Sequence, residues 1–391
     1  MFKIKKLNNI SDIVYEKLPK DHYEISEELE NSEADAFLIR SADVHDMEFS
    51  EKNLAFGRAG IGVNNIPVDR CTREGIVVFN TPGANANAVK ELVLCGLLLG
   101  SRDIVGGIKF VSSLADEGKN IMPLVEKGKS RFVGPEIQGK TLGVIGLGAI
   151  GVLVANMAAD LGMDVIGYDP FISIENAWHL STHVKHALSL DEIMTKADYI
   201  TIHVPLMDST RNYINRDHIL SMKDNVVILN FARNGLIDES ALIPAQREGK
   251  VRRYITDFPD EVLLKEENVV CLPHLGASTP ESEENCAYMA SRELKRFLEI
   301  GEIRHSVNFP ECLLSPSKNS RITVVHGNIP GVIANITSLL SAEKINVEEM
   351  VNKSRNDIAY SVFDLDKRPE EHVLSSIRKL EGVIKIREIL A

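Results

Sequence analysis

The chain has 391 residues, 44% of them hydrophobic and 26% charged, which is ordinary for globular proteins but too long for a single core, so two or three domains are expected. A formal net charge of -12 repels polyanions and argues against nucleic-acid or membrane-surface partners. Cys71, Cys95, Cys271, Cys286 and Cys312 lack CxxC or Cys/His spacing, so reduced thiols in the cytoplasm are expected and no metal site is. The N-terminal MFKIKKLNNI has no apolar h-region, and no apolar run reaches about 18 residues.

Over the first 300 or so residues short apolar runs alternate with helix-patterned stretches, the signature of parallel sheets with helical crossovers. Strands are expected at 36–39, 54–56 and 76–79, followed by a helix from about Ala88 whose LVLCGLLLG run lacks a polar face and predicts burial on most sides. The pattern restarts at Gly139 with the strand GKTLGVIG, a helix in GAIGVLVANMAADLG and the strand MDVIGYD. Further strands at 199–204, 226–230, 254–256 and 269–272 give about six, the count of a doubly wound dinucleotide-binding fold. Thr279 as N-cap, Pro280 as first helical residue and acids in the first turn start a helix that ends at Gly301. Around 309–320 the stretch NFPECLLSPSKNS loses periodicity and reads as a linker. The remaining 320–391 read as βαββαβ, a ferredoxin-like order.

In VIGLGAIG, the glycines Gly146, Gly148 and Gly151 have GxGxxG spacing at a strand-to-helix junction, with Ala149 and Ile150 opening the helix. The first glycine permits the tight turn, the second admits a pyrophosphate to the backbone, and the third lets the helix close on the strand, its N-terminus facing the anion. Asp169 ends the next strand where a carboxylate meets the adenine ribose and repels a 2'-phosphate, and with no cation close by NAD is favoured over NADP.

Three later strand ends carry chemistry. Arg233 follows VVILN, Asp257, Asp260 and Glu261 lie in YITDFPDE, and His274 follows VVCLP. A guanidinium fork suits bidentate capture of a carboxylate, and an imidazole held by a buried acid suits removal of a hydroxyl proton as hydride departs. Alone, Arg233 reads more readily as a surface side chain and His274 as a structural one; together on strand ends of one sheet they read as a site.

These stretches, with HVPLMDSTRN, NFARNGLID, TDFP, PHLGAST, AGIGVNNIPV and NTPGANANAVKELV, resemble the D-isomer-specific 2-hydroxyacid dehydrogenases over nearly the whole chain. The resemblance implies two doubly wound α/β domains and a C-terminal ferredoxin-like ACT domain. The substrate domain would comprise 1–92 and 278–308, the inserted Rossmann domain 93–277 and the regulatory domain 320–391, with the active site in the cleft. It further implies His274 as acid/base, Arg233 as carboxylate clamp and Glu261 as the acid paired with His274. Asp257 would lie by the nicotinamide carboxamide, and Pro205, Phe231, Ala232, Gly276 and Ala277 would complete the cofactor site. TDFPDE is one residue shorter than the family's segment, which leaves the register of Asp257 and Glu261 open, and Asn234 replaces a glycine.

Within the family, the resemblance points to members that oxidise 3-phosphoglycerate with NAD, the entry to serine synthesis. Arg40, Ser41, Arg58, Gly60, Ile61, Asn64 and Lys90 match substrate-contacting positions. His326, Asn328 and Asn346 match positions that hold serine as effector, and a homodimer or homotetramer is implied. The alternatives are a reductase of hydroxypyruvate or glyoxylate and a NAD-sensing corepressor-like binding protein.

Overall fold

A computed structural model describes residues 1–390, which form two compact units, Met1–Ala84 with the described residues from Glu283 onward, and Asn85–Ser282. In the first unit β1 (Phe2–Lys6), β2 (Tyr23–Ser26), β3 (Ala36–Ile39), β4 (Ala55–Arg58) and β5 (Val77–Phe79) form a parallel sheet in the order β2-β1-β3-β4-β5, with α1 (Val68–Arg73) crossing between β4 and β5. Every residue of the AFLI run in β3 is buried, as a central parallel strand covered on both faces requires. The strands β1 and β2 lack a clear sequence signal because FKIKK and YEIS are short and half-polar.

The second unit opens with α2 (Ala86–Ser101), α3 (Ile104–Ser112) and α4 (Ile121–Gly128). Contrary to the expectation from its apolar sequence, α2 buries only one face: Val89, Val93, Gly96, Leu97 and Gly100 face inward, whereas Cys95 and Leu98 are exposed. A β-carbon at Gly96 would lie 2.7 Å from the Leu229 side chain, so the glycine sets how closely α2 approaches the sheet. That sheet comprises β6 (Thr141–Ile145), β7 (Asp164–Tyr168), β8 (Val184–His186), β9 (Tyr199–Ile202), β10 (Val226–Asn230), β11 (Val251–Thr256) and β12 (Val269–Cys271). All pairs are parallel, in the order β12-β11-β10-β9-β6-β7-β8. The short edge strand β8 makes the sheet seven-stranded, where the sequence suggested about six. Its crossovers are α5 (Ala149–Asp160), α6 (Ile174–Trp178), α7 (Leu190–Lys196), α8 (Arg216–Ser221) and α9 (Glu239–Arg247). The order reverses between β6 and β9, which places the switch point of this doubly wound sheet at the glycine-rich turn after β6.

Helix α10 (Pro280–Ile300) begins as expected, with Thr279 Oγ1 accepting from Ser282 N at 3.1 Å, and stops at Gly301, whose φ is +76°. Its residues Ala287, Ala290, Leu294, Phe297 and Leu298 join Leu38, Ala55, Val77 and Phe79 in the core of the first unit.

The C-terminal sheet of that unit runs β14-β15-β13-β16 and is antiparallel. Its elements are β13 (Ser320–Gly327), α11 (Val332–Ala342), β14 (Val347–Arg355), β15 (Ile358–Leu365), α12 (Glu371–Arg378) and β16 (Val383–Leu390), the predicted βαββαβ. Helices α11 and α12 cover one face through Val332, Ile336, Leu340, Val373 and Ile377. The other face lies on the first lobe: Val325, Ile358, Tyr360 and Val362 share a core cluster with Leu294 and Phe297, and Tyr360 Oη donates to Gly301 O at 2.7 Å. Arg321 makes a bidentate pair with Asp364 (2.6 and 2.7 Å) and donates to Ile300 O. The start of the segment expected as a linker is anchored, with Phe309 and Cys312 buried and Cys312 bridging to Ile303.

Candidate functional site

The turn after β6 has the features a dinucleotide requires. Gly146 has φ +89°, and a β-carbon there would lie 2.7 Å from His203 O. At Gly151 a β-carbon would strike Gly146 O at 1.9 Å, so only glycine lets α5 start this close to the turn. At Gly148, the N-cap of α5, an added β-carbon would meet nothing within 4 Å, which leaves open space over the helix N-terminus. Asp169 is held by this turn: its Oδ2 accepts from Leu147 N at 2.8 Å and its Oδ1 from Phe171 N at 2.9 Å. Ala149 is exposed and Ile150 half-buried at the start of α5, and Pro205 is exposed just after β9.

The ends of β10, β11 and β12 carry Arg233, Asp257 and His274. Arg233 is exposed, with Nη1 donating to its neighbour Ala232 O at 2.6 Å. Asp257 is 1% exposed; Oδ2 accepts from Gly276 N at 3.1 Å, while Oδ1 is buried without a hydrogen-bond partner. Burial pushes its carboxyl above the usual range, opposed by the Gly276 N–H and by the charges of His274 and Arg233. A buried acceptor left without a partner at a strand end fits an amide-bearing ring such as nicotinamide. His274 is exposed with φ +51°, a left-handed conformation uncommon outside glycine, and its ring packs 4.9 Å from Phe258. Phe231 is buried, and Ala232 and Ala277 are half-buried around the same strand ends.

Glu261 lies apart from this group. Its side chain is 86% exposed and pairs with Lys265 at 2.7 Å, so the carboxylate that interacts with His274 here is Asp257. The neighbour of Glu261, Asp260, caps the following turn by accepting from Val262 N and Leu263 N at 2.9 and 2.8 Å. Asp260 also bonds to the carboxyl of Glu239 at the start of α9, which burial and this pairing push up to about 7.

Residues not singled out from sequence brace the site. Asn230, 1% exposed, accepts from Ala232 N and donates to Arg233 O and Tyr254 Oη, while Thr256 Oγ1 donates to Asn230 O. A buried asparagine at a strand end was the available signal. Burial drives the His203 imidazole down to about 3, so the ring beside Thr201 Oγ1 is neutral, while the backbone carbonyl of His203 abuts Gly146.

In the first unit Arg40 and Arg58 end adjacent parallel strands, β3 and β4. Asn8 Oδ1 accepts from the backbone N–H groups of Arg40, Ser41 and Ala42 at 2.9, 3.0 and 3.0 Å, and Asn65 Nδ2 donates to Arg40 O and Ala42 O. The amide of Ser41 is thus already engaged. The Arg40 guanidinium pairs with Glu283 at 2.8 Å. Arg58 folds over Gly60, where a β-carbon would lie 1.8 Å from Arg58 Nη1, and Asn80 Nδ2 fixes the following loop through Ile61 O. Asn64 is exposed in that loop. Lys90 belongs to the second unit, where its Nζ donates to Asn87 Oδ1 at 2.6 Å.

The effector candidates are not brought together within one chain. His326, 2% exposed, has both ring nitrogens engaged, with Gly327 O at 2.7 Å and Ser361 Oγ at 2.8 Å. Asn328 Nδ2 donates to Asn356 O. Asn346 donates its N–H to Asp366 at the far end of β15, about 20 Å from His326 along the strands. Among the described residues no group of His, Cys, Asp and Glu could hold a metal ion, and no helix is long and apolar enough to cross a membrane.

Comparison with known proteins gives concordant matches. Residues 108–276 match the NAD-binding domain of D-isomer-specific 2-hydroxyacid dehydrogenases, and residues 322–385 match an ACT domain of the AHAS small-subunit-like kind. The chain is 35% identical to D-3-phosphoglycerate dehydrogenase of Methanocaldococcus jannaschii over 351 residues, 86% of this chain but only 62% of that protein. It is 30% identical to the Haemophilus influenzae D-3-phosphoglycerate dehydrogenase over 87% of this chain and 82% of the other. The NAD-bound 3-phosphoglycerate dehydrogenase structure from Entamoeba histolytica superposes with a TM-score of 0.61 at 27% identity, covering 78% of this chain and 98% of that one. With a parallel-sheet fold, a glycine turn suited to a dinucleotide and similarity that spans most of both chains, this protein belongs to the D-isomer-specific 2-hydroxyacid dehydrogenase family.

Proposed function

We propose that the chain oxidises 3-phosphoglycerate to 3-phosphohydroxypyruvate with NAD, at a site built from Arg233, Asp257 and His274. The observation that carries this reading is the convergence of these three residues on successive strand ends, with the charges of Arg233 and His274 acting on the buried Asp257 carboxyl. NAD, when bound over Gly146, Gly148 and Gly151 with Asp169 toward its ribose, supplies the hydride acceptor. Residues Ala149, Ile150, Pro205, Phe231, Ala232, Gly276 and Ala277 complete that surface. Arg233 holds the substrate carboxylate with its planar fork. His274 removes the hydroxyl proton, and Asp257 supports the imidazolium that results. Glu261 could take over that support only by leaving Lys265.

Arg40 and Arg58 bind the phosphate, with Ser41, Gly60, Ile61, Asn64 and Lys90 around the substrate. The division of labour follows the expected segments: 1–92 with 278–308 for substrate, 93–277 for NAD and 320–391 for regulation. Serine is the proposed effector at His326, Asn328 and Asn346. Because Asn346 lies at the opposite end of its sheet, a site using all three needs a second copy of the chain, in keeping with a homodimer or homotetramer. The five free cysteines suit a reducing cytoplasm.

The test is NADH formation at 340 nm with 3-phosphoglycerate, D-lactate and D-glycerate side by side, with and without serine. Turnover should be fastest with phosphoglycerate, and His274→Ala should lower kcat by about 10²- to 10⁴-fold while NADH still binds. Absence of phosphoglycerate turnover refutes the substrate; a near-normal His274→Ala enzyme refutes the acid/base.

A further inference from the structure

The Arg40 guanidinium, proposed above to receive the substrate phosphate, is engaged by a carboxylate of its own protein. Its Nη1 lies 2.8 Å from Glu283 Oε2, with the two side chains 34% and 47% exposed. The arginine stands on a fixed stem, since Asn8 Oδ1 and Asn65 Nδ2 hold the backbone of residues 40–42 from both sides. The glutamate is equally well placed: it occupies the first turn of α10, where Thr279 caps the helix and the N-terminal end of the dipole favours a negative charge. The hydrogen bond from Arg40, reinforced by its charge, holds the Glu283 carboxyl below the usual range, so it is ionised wherever the enzyme meets an anionic substrate.

We infer that Glu283 is a specificity-determining residue, a resident anion that occupies Arg40 in the empty enzyme and is displaced by the phosphate of the substrate. This rests on the reading of Arg40 as a phosphate contact. Partial exposure decides that displacement is feasible. An ion pair this open is weak, and a phosphate dianion offering several acceptor oxygens outcompetes a single carboxylate for the guanidinium fork. The cost of displacement falls on every ligand that must reach Arg40, and only one carrying a dianion recovers it. A 2-hydroxy acid without phosphate leaves the pair in place. Glu283 therefore lowers affinity for phosphorylated substrate and for inorganic phosphate alike, and keeps Arg40 from being filled by weaker anions.

The test is steady-state kinetics of wild type, Glu283→Gln, Arg40→Gln and the double variant, with 3-phosphoglycerate and with D-glycerate, and with inorganic phosphate as competitor. Glu283→Gln should lower KM for phosphoglycerate and Ki for phosphate by about two- to fivefold, the worth of an exposed pair. Its kcat and its KM for D-glycerate should match wild type. In the Arg40→Gln background the same change should have no effect. If Arg40→Gln raises KM for phosphoglycerate selectively but Glu283→Gln changes neither KM nor Ki, the resident-anion role is refuted and the phosphate role of Arg40 stands. If Arg40→Gln affects both substrates equally or neither, or phosphoglycerate is not turned over, the phosphate role falls and the inference with it.

Discussion

The two glycines at the mouth of α5 should fail in opposite ways when each receives one methyl group. In Gly151→Ala the β-carbon would lie 1.9 Å from Gly146 O, a backbone atom that cannot turn aside. Relief requires α5 and the turn to separate, at the cost of overpacking, about 1–3 kcal/mol. At about 2–4 °C per kcal/mol for a unit of this size, melting should fall by roughly 2–12 °C. In Gly148→Ala the new methyl meets nothing within 4 Å, and the backbone at φ -74° and ψ -166° is open to any residue. Melting of the free protein should therefore stay within about 1 °C of wild type, since alanine also reduces the freedom of the unfolded chain. The methyl would instead occupy the space over the helix N-terminus. If a pyrophosphate must be pushed back by the same kind of overpacking, about 1–3 kcal/mol, Kd for NADH rises by about 5- to 150-fold. Thermal unfolding without ligand and fluorescence titration with NADH separate the two outcomes. A Gly148→Ala protein that binds NADH like wild type would refute the placement of the pyrophosphate over this turn.

Three further perturbations probe other parts of the molecule. The Glu239 carboxyl is raised to about 7 from the usual 4.5 by burial and by Asp260, so its contribution to stability is complete below the unfolded value and lost as pH rises through about 7. Wild type should accordingly lose more melting temperature between about pH 5 and pH 8 than Glu239→Gln does; parallel curves would show that the pair does not share a proton. Arg321→Leu leaves the half-buried Asp364 carboxylate without its bidentate partner and should destabilise the C-terminal sheet by about 2–4 kcal/mol, seen as faster proteolysis there; unchanged digestion would show that the pair contributes little. Asn8→Ala deprives three backbone amides of their acceptor, and loosening of the 40–42 loop should raise KM for phosphoglycerate about three- to tenfold, with unaltered KM arguing that the loop is held by Asn65 alone.

The architecture of the second unit was legible because its signals are local: a glycine turn between an apolar strand and a helix, then strands ending in Arg233, near Asp257 and before His274. The same holds for the βαββαβ order and the cap at Thr279. What escaped depended on tertiary context. FKIKK becomes a strand because β2 and β3 flank it, not because its own alternation is strong. The apolar run of α2 implied burial on most sides, yet the helix packs through one side, against α5 and against the sheet, where Gly96 and Gly100 allow the close approach. Glu261 was expected beside His274, but Asp260 caps a turn there and the next side chain faces outward to Lys265. Asn8 and Asn230 act through hydrogen bonds to chain segments distant in sequence or hidden in a turn, and an asparagine's partners cannot be read from its neighbours.

The sheet that ends the chain shares a hydrophobic core with the first lobe through Tyr360, Val362, Leu294 and Phe297, and the segment joining them is itself buried at Phe309 and Cys312. Deleting it would thus uncover an oily wall rather than trim an appendage, and a shortened dehydrogenase would tend to clump. It also means that the sheet cannot be exchanged for an arbitrary sensor by fusion at the linker, because whatever replaces it must present Tyr360-like and Lys385-like groups to Gly301 O and Asn53 O. The two parts inherit each other's stability, and a mutation that melts one will be felt in the other.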